Sequence, residues 1–181
     1  AVVPRRAVGI DDLVRRAKNK ITGDMMDVRV WKDVPLAFVI GRRTYRCGPD
    51  VARAAIAGVT AVNDVSARVL QKKDGQFTRA KGFDTFCPIG PAVALGLNPD
   101  DLSVLARVGG EVRQDGRTKD LVAGAVLLVV FISNVMTLEP GDVISTGTPA
   151  GVAPLASGDR VSIEIEGVGP LVNDVRERPP A

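Results

Sequence analysis

The chain has 181 residues, 45% of them apolar and 25% charged, with a formal charge of +3 and no histidine. That length can bury a core without cross-links, and the composition is that of a soluble globular protein. Without histidine, Ser-His-Asp and Cys-His catalysis and all histidine metal ligation are excluded. Acid–base work must then fall to carboxylates, lysine, tyrosine, cysteine or water.

Aromatic residues make up only 4% of the chain, which argues against a base-stacking nucleic-acid platform. The basic residues at Arg5–Arg6 and Arg15–Lys20 read as a solvated face. A small anionic substrate suits this mildly basic surface, and no nucleic-acid partner is expected. Cys47 and Cys87 make neither a disulfide framework nor a zinc cluster. Both read as small buried hydrophobes. No secretory leader is visible at the N-terminus, and the apolar run LVAGAVLLVVFI at 121–132 is too short for a membrane span. A cytoplasmic protein with no membrane partner is expected.

In chain order, residues 7–18 read as a short helix led by Asp11 and Asp12, whose charges suit a helix N-terminus. Residues 36–41 read as a strand. Gly48-Pro49-Asp50 opens a helix to about Ala57, which Gly58 ends. Residues 59–62 form a second strand. VSARVLQ reads as a helical turn, and KKDGQFTRAKGFDTF as a polar loop whose length suits function. Strand returns at Val93. LSVLARVGGEVRQDG is a hairpin turning at Gly109-Gly110, with Asp115-Gly116 after its second strand. Residues 121–134 read as a buried helix. LEPGDVISTGTP is a turn and strand ending in a Gly/Thr/Pro loop, and SGDRVSIEIEGVGPLVNDV is an alternating hairpin. The last five residues read as frayed. The pattern is β-rich α+β, a single domain over 1–181 without repeats or linkers.

Three loops that follow strands carry the polar side chains of interest. They are NDVSARVLQ with Asp64, Arg68 and Gln71, RAKGFDTFCPIGP with Lys81 and Asp84, and STGTPAGV with Thr146, Gly147 and Thr148. Taken alone, Asp64 also suits a turn cap, Lys81 a solvent-seeking side chain, and Thr146 and Thr148 ordinary strand positions.

Four segments occur together and in order: AGVTAVNDVSARVLQKKDGQFTRAKGFDTFCPIGP, GGEVRQDGRTKDL, MTLEPGDVISTGTPAGV and GDRVSIEIEGVGPLVNDV. From about Leu36 to Val175 the chain resembles the fumarylacetoacetate hydrolase superfamily. The resemblance implies a mixed β-sandwich roll, a homodimer, and a Mg²⁺ or Mn²⁺ ion held by three carboxylates. It also implies a small 2-oxo or enol carboxylate substrate that undergoes C–C cleavage, decarboxylation or isomerisation through an enolate. The cation would be the electron sink.

By position, Asp64 matches the third metal carboxylate of that family. Gln71 and Lys81 match polar substrate-site residues, and Arg68 shares the NDxSAR motif. Lys81, Arg68 and Gln71 are therefore the candidate catalytic residues. Thr148, with Gly147, Thr146 and Asp84, is a candidate for holding substrate.

The departures lie upstream. The family's E-x-E ligand pair corresponds to Asp33, Val34 and Pro35, so the first ligand is shortened to Asp33 and the second is lost. Asp33 also reads as a strand-edge residue and Pro35 as an edge or first strand position. The histidine–glutamate pair that activates water in hydrolytic members has no equivalent in GIDDLVRRA at 9–17. The family's lid is missing between Ala17 and Lys18, either deleted or outside this numbering. Hydrolysis is thus the step least supported. A metal-free rearrangement or cyclisation, or a non-catalytic binding or dimerisation module, stands as the alternative.

Overall fold

A computed structural model of the chain describes residues 8–9, 36–147 and 154–176. Asp33, Pro35, Thr148, the junction at Ala17 and Lys18, residues 10–18 of the expected first helix, and the last five residues lie outside the described residues.

Two sheets carry the fold. Among the described residues the first orders its strands β1 (Val8–Gly9), β7 (Val143–Ser145), β2 (Leu36–Ile40), β3 (Ile56–Val62), β4 (Ile89–Leu95), and the second β6 (Glu111–Arg117), β5 (Ser103–Val108), β8 (Arg160–Ile165), β9 (Gly169–Asp174). In the first sheet β1 runs parallel to β7, and the other pairs are antiparallel. This is the mixed, β-rich α+β class expected from the sequence. Val8 and Gly9 are strand, however, and not part of the helix expected over 7–18.

The apolar run LAFVI makes a central strand because neighbours on both edges satisfy its backbone groups. Leu36, Ala37 and Phe38 are fully buried there. β3 begins at Ile56, three residues earlier than expected, and runs through Gly58. Gly58 does not stop the preceding helix, α1 (Pro49–Ala55). It is needed because a Cβ there would lie 2.5 Å from the Ala94 carbonyl oxygen on β4.

The strands of the second sheet alternate as period-two sequences should: Val161, Ile163 and Ile165 are buried, with Arg160, Ser162 and Glu164 between them. β6 runs through Asp115-Gly116 instead of ending before them, since Gly116 pairs with Val104. The space between the sheets is filled by Leu36, Phe38, Val59 and Ala61 from one side and by Val104, Val161, Ile163 and Leu171 from the other.

The longest described helix, α4 (Ala125–Val135), starts four residues later than the sequence suggested. It is buried on one face only. Ala125, Leu128, Val129, Ile132 and Ser133 are inside, at helical spacing, whereas Leu127 and Val135 are more than half exposed. α4 packs with α1 over Ile40, Ile144 and Leu138. Among the described residues no helix is long and apolar enough to cross a membrane.

The helical turn expected in VSARVLQ is the start of α2 (Arg68–Asp74), which runs three residues into the stretch expected to be loop, and a second short helix, α3 (Thr78–Lys81), lies wholly within that stretch. Gly75, at φ 63°, ends α2 in the left-handed conformation glycine adopts freely. The Ala67 N–H donates to the Ala80 carbonyl at 2.9 Å and ties the two helices together.

Candidate active site

Asp64 leaves the buried end of β3 two residues after Val62. The preceding residue fixes its position: the Asn63 N–H donates to the Pro88 carbonyl at 3.0 Å, and Asn63 Nδ2 lies 3.4 Å from Asn173 Oδ1 on β9. The end of β3 is thereby held both to the loop that follows α3 and to the second sheet. Asp64 does not cap α2, whose N-cap is Ala67 with no side-chain hydrogen bond. Its carboxylate instead accepts a hydrogen bond from the Lys81 ammonium, forming an ion pair.

Only 20% of the Lys81 side chain and 18% of the Asp64 side chain are exposed. Lys81 thus turns inward from the end of α3 and does not seek solvent. A charge pair sheltered to this degree interacts more strongly than one in open water.

The third member of the cluster comes from the loop after α3. Its backbone turns at Phe83–Phe86, where the Phe86 N–H donates to the Phe83 carbonyl at 3.0 Å. Thr85 (φ 70°) and Cys87 (φ 60°) are both left-handed. Cys87 packs on Ala37, Val62 and Val143. Burial pushes its thiol pKa up, and the nearby Asp64 charge pushes it further, while Lys81 acts in the opposite direction. The thiol therefore lies within the field of the Asp64–Lys81 pair and stays protonated near neutrality.

The remaining candidates divide. Arg68 Nη1 donates to Gln71 Oε1 at 2.8 Å on an exposed part of α2. Asp84 is exposed on the turn after α3. Thr146 is buried, and both its N–H (3.0 Å) and its hydroxyl (3.1 Å) donate to the Leu36 carbonyl, which stitches the end of β7 to the start of β2. Gly147 follows it at φ 105°.

Sequence reading missed Cys87 as a neighbour of the pair, and missed the Asn63–Asn173 contact. The first was signalled by the short spacing between Lys81 and Cys87 on one loop. The second joins residues 110 positions apart and had no local signal.

A cleft of about 500 Å³ lies elsewhere, on the second sheet, lined by Arg107, Arg160, Ser162 and Val172 with Gly109 and Gly110. Arg107 already faces Glu164 at 3.4 Å, and Arg160 faces Asp174 at 3.1 Å.

Among the described residues no group of three His, Cys, Asp or Glu side chains could hold a metal ion. Asp64, the described carboxylate of the implied set, is already paired with Lys81. A divalent cation such as Mg²⁺ or Mn²⁺ needs several oxygen ligands, so the described residues do not by themselves fit one.

Residues 10–176 match the family profile described as fumarylacetoacetate (FAA) hydrolase, C-terminal. The chain belongs to the fumarylacetoacetate hydrolase family. It is 50% identical over 149 residues to an uncharacterised protein of Methanocaldococcus jannaschii, covering 82% of this chain and 63% of that one. It is 41% identical over 150 residues to the oxaloacetate tautomerase YisK of Bacillus subtilis, covering 77% of this chain and 50% of that one. Among solved structures it resembles the crystal structure of 5-carboxymethyl-2-hydroxymuconate delta-isomerase from Mycobacterium smegmatis. There the TM-score is 0.79 and the identity 49%, over 82% of this chain and 59% of that one. This fumarylacetoacetate hydrolase-family chain thus spans between half and two thirds of the length of these relatives. Two of the three are named as enzymes, in keeping with the enzyme expected from the sequence.

Proposed function

We propose that the chain, read as one fumarylacetoacetate hydrolase-type domain, is the catalytic domain of a cytoplasmic, homodimeric enzyme. It would isomerise a small 2-oxo or enol carboxylate through an enolate. The observation that carries this reading is the sheltered Asp64–Lys81 pair at the end of β3. Two relatives named as a tautomerase and an isomerase support the class of reaction.

Keto–enol interconversion requires little more than such a pair. A carboxylate takes the proton from the carbon beside the carbonyl. That C–H bond breaks, a C=C bond forms, and negative charge moves to the carbonyl oxygen. A neighbouring ammonium stabilises this oxyanion and donates a proton to it. Asp64 is the proposed base and Lys81 the proposed donor. Proton exchange across their hydrogen bond returns both to their starting states. No water is activated, in accord with the missing histidine–glutamate pair.

Arg68 and Gln71 are the proposed partners of the substrate's carboxylate, with Asp84 and the Thr146-Gly147-Thr148 segment completing its boundary. Asp64 and Asp33 are the proposed carboxylate ligands where a divalent cation takes part. C–C cleavage and decarboxylation start from the same enolate chemistry and are further outcomes of the test.

Oxaloacetate is the first substrate to try, with its enol absorbance followed in the ultraviolet. Lys81→Met and Asp64→Asn should each lower kcat by about 10²–10⁴, the usual contribution of a positioned acid or base. Full activity in both variants, or no turnover of any 2-oxo acid by the unaltered protein, would sink the proposal and favour a non-catalytic module. Light scattering on the same sample tests the homodimer.

A further inference from the structure

Asp74 is the last residue of α2, where an acidic side chain opposes the helix dipole. Lys72 and Lys73, just before it, carry the charge that end of a helix favours. The position of Asp74 is explained by a contact outside its own helix. Arg79 of α3 donates to it through two nitrogens, Nε to Oδ2 at 2.7 Å and Nη2 to Oδ1 at 2.6 Å. Such a forked guanidinium–carboxylate pair fixes an orientation as well as a distance.

α3 needs that help. It is one turn of four residues, Thr-Arg-Ala-Lys, too short to hold a helical shape alone. Its described anchors are few. Ala80 is fully buried, the Ala67 N–H binds the Ala80 carbonyl, and the Asp74–Arg79 fork joins it to α2 across Gly75. Lys81 projects from the residue after Ala80, so rotation of this turn about the Ala80 anchor would draw its ammonium away from Asp64.

We infer that the Asp74–Arg79 ion pair is a positioning device that locks α3 against α2 so that Lys81 meets Asp64. This inference rests on the function proposed above. Neither residue touches Asp64 in any described contact, and both act through the turn that carries Lys81. The Arg79 side chain is 55% exposed and that of Asp74 23%, so solvent screens the pair from the arginine side and its contribution to global stability is small. Its role lies in local alignment, so removing it should change the site and leave the melting temperature nearly unaltered.

The test uses Asp74→Asn, Arg79→Gln and the exchanged pair Asp74→Arg with Arg79→Asp in the full chain. Lys81 exposure is read directly by acylating lysines with acetic anhydride and locating the products by mass spectrometry. In the unaltered protein Lys81 should react more slowly than exposed Lys72 and Lys119. Each single variant should raise the Lys81 rate about fivefold, the factor set by loss of one such pair, with Lys119 unchanged. The exchanged pair should restore protection. For oxaloacetate, kcat should fall about tenfold in the single variants with KM nearly constant, because misplacement of a catalytic group weakens the chemical step. Unchanged Lys81 protection in both single variants would overturn the inference whatever the turnover shows. Altered protection in a protein that turns over no oxo acid would uphold the positioning and overturn only the proposed function.

Discussion

Cys87 reports on the site without taking part in the proposed reaction. Its thiol pKa is raised first by burial and then by the Asp64 carboxylate, while the Lys81 ammonium lowers it. The thiolate is the reactive form, so alkylation of Cys87 by iodoacetamide should be slow near neutrality and should rise at a higher pH than in the urea-unfolded chain. Asp64→Asn removes a negative neighbour and should move the alkylation profile to lower pH. Lys81→Met removes a positive neighbour and should move it to higher pH. A profile that ignores both substitutions would place the thiol outside the field of the pair. The sign for stability follows from the same shift. The folded thiol keeps its proton at a pH where the unfolded one has lost it, so this contribution is complete below the unfolded pKa and disappears as pH rises through the folded one. Asp64 and Lys81 were legible as candidates because they stand in polar motifs beside predicted strand ends. Their mutual contact was not legible, because a sequence gives no register between the end of β3 and α3.

At the scale of elements, the alternating strands of the second sheet were read best, for a physical reason. The β8–β9 hairpin alternates at period two and turns at glycines, so its pattern belongs to no other structure. The start of α2 was read as a helical turn, but its last three residues and all of α3 were hidden because they are short and mostly polar, with no apolar face to give a 3.6-residue period. α4 misled in the opposite way. Apolar without a break as far as Ile132, it reads as buried throughout, yet it leaves Leu127 and Val135 in solvent. Gly58 read as a helix stop because glycine breaks helices. Its actual role is to let β3 approach β4, where an added Cβ would sit 2.5 Å from the Ala94 carbonyl oxygen and 2.9 Å from Val93 Cγ1. Gly58→Ala must therefore push the two strands apart. A loss of about 1–3 kcal/mol, the usual cost of overpacking, is expected in urea denaturation with an unchanged m-value. The same substitution at Gly48, which has open space around it, should cost far less.

At the scale of the whole molecule, the candidate site depends on both sheets. The end of β3 carries Asp64 from the first sheet, and Asn173 on β9 of the second sheet reaches back to Asn63. What joins the sheets is the apolar layer between them, in which Phe38 is the largest fully buried side chain. Phe38→Ala would leave a void bounded by side chains of both sheets, and close packing allows only partial collapse around it. The expected loss is about 3–5 kcal/mol. If the sheets share one cooperative core, that loss should appear as a single shift. Secondary structure followed by circular dichroism and the burial of Cys87 followed by a thiol reagent should then fail at the same urea concentration. Exposure of Cys87 well before the loss of strand signal would mean that the site's loop unfolds as a separate unit. The Asp64–Lys81 pair would then be maintained by the α2–α3 segment alone and not by the packing of the two sheets.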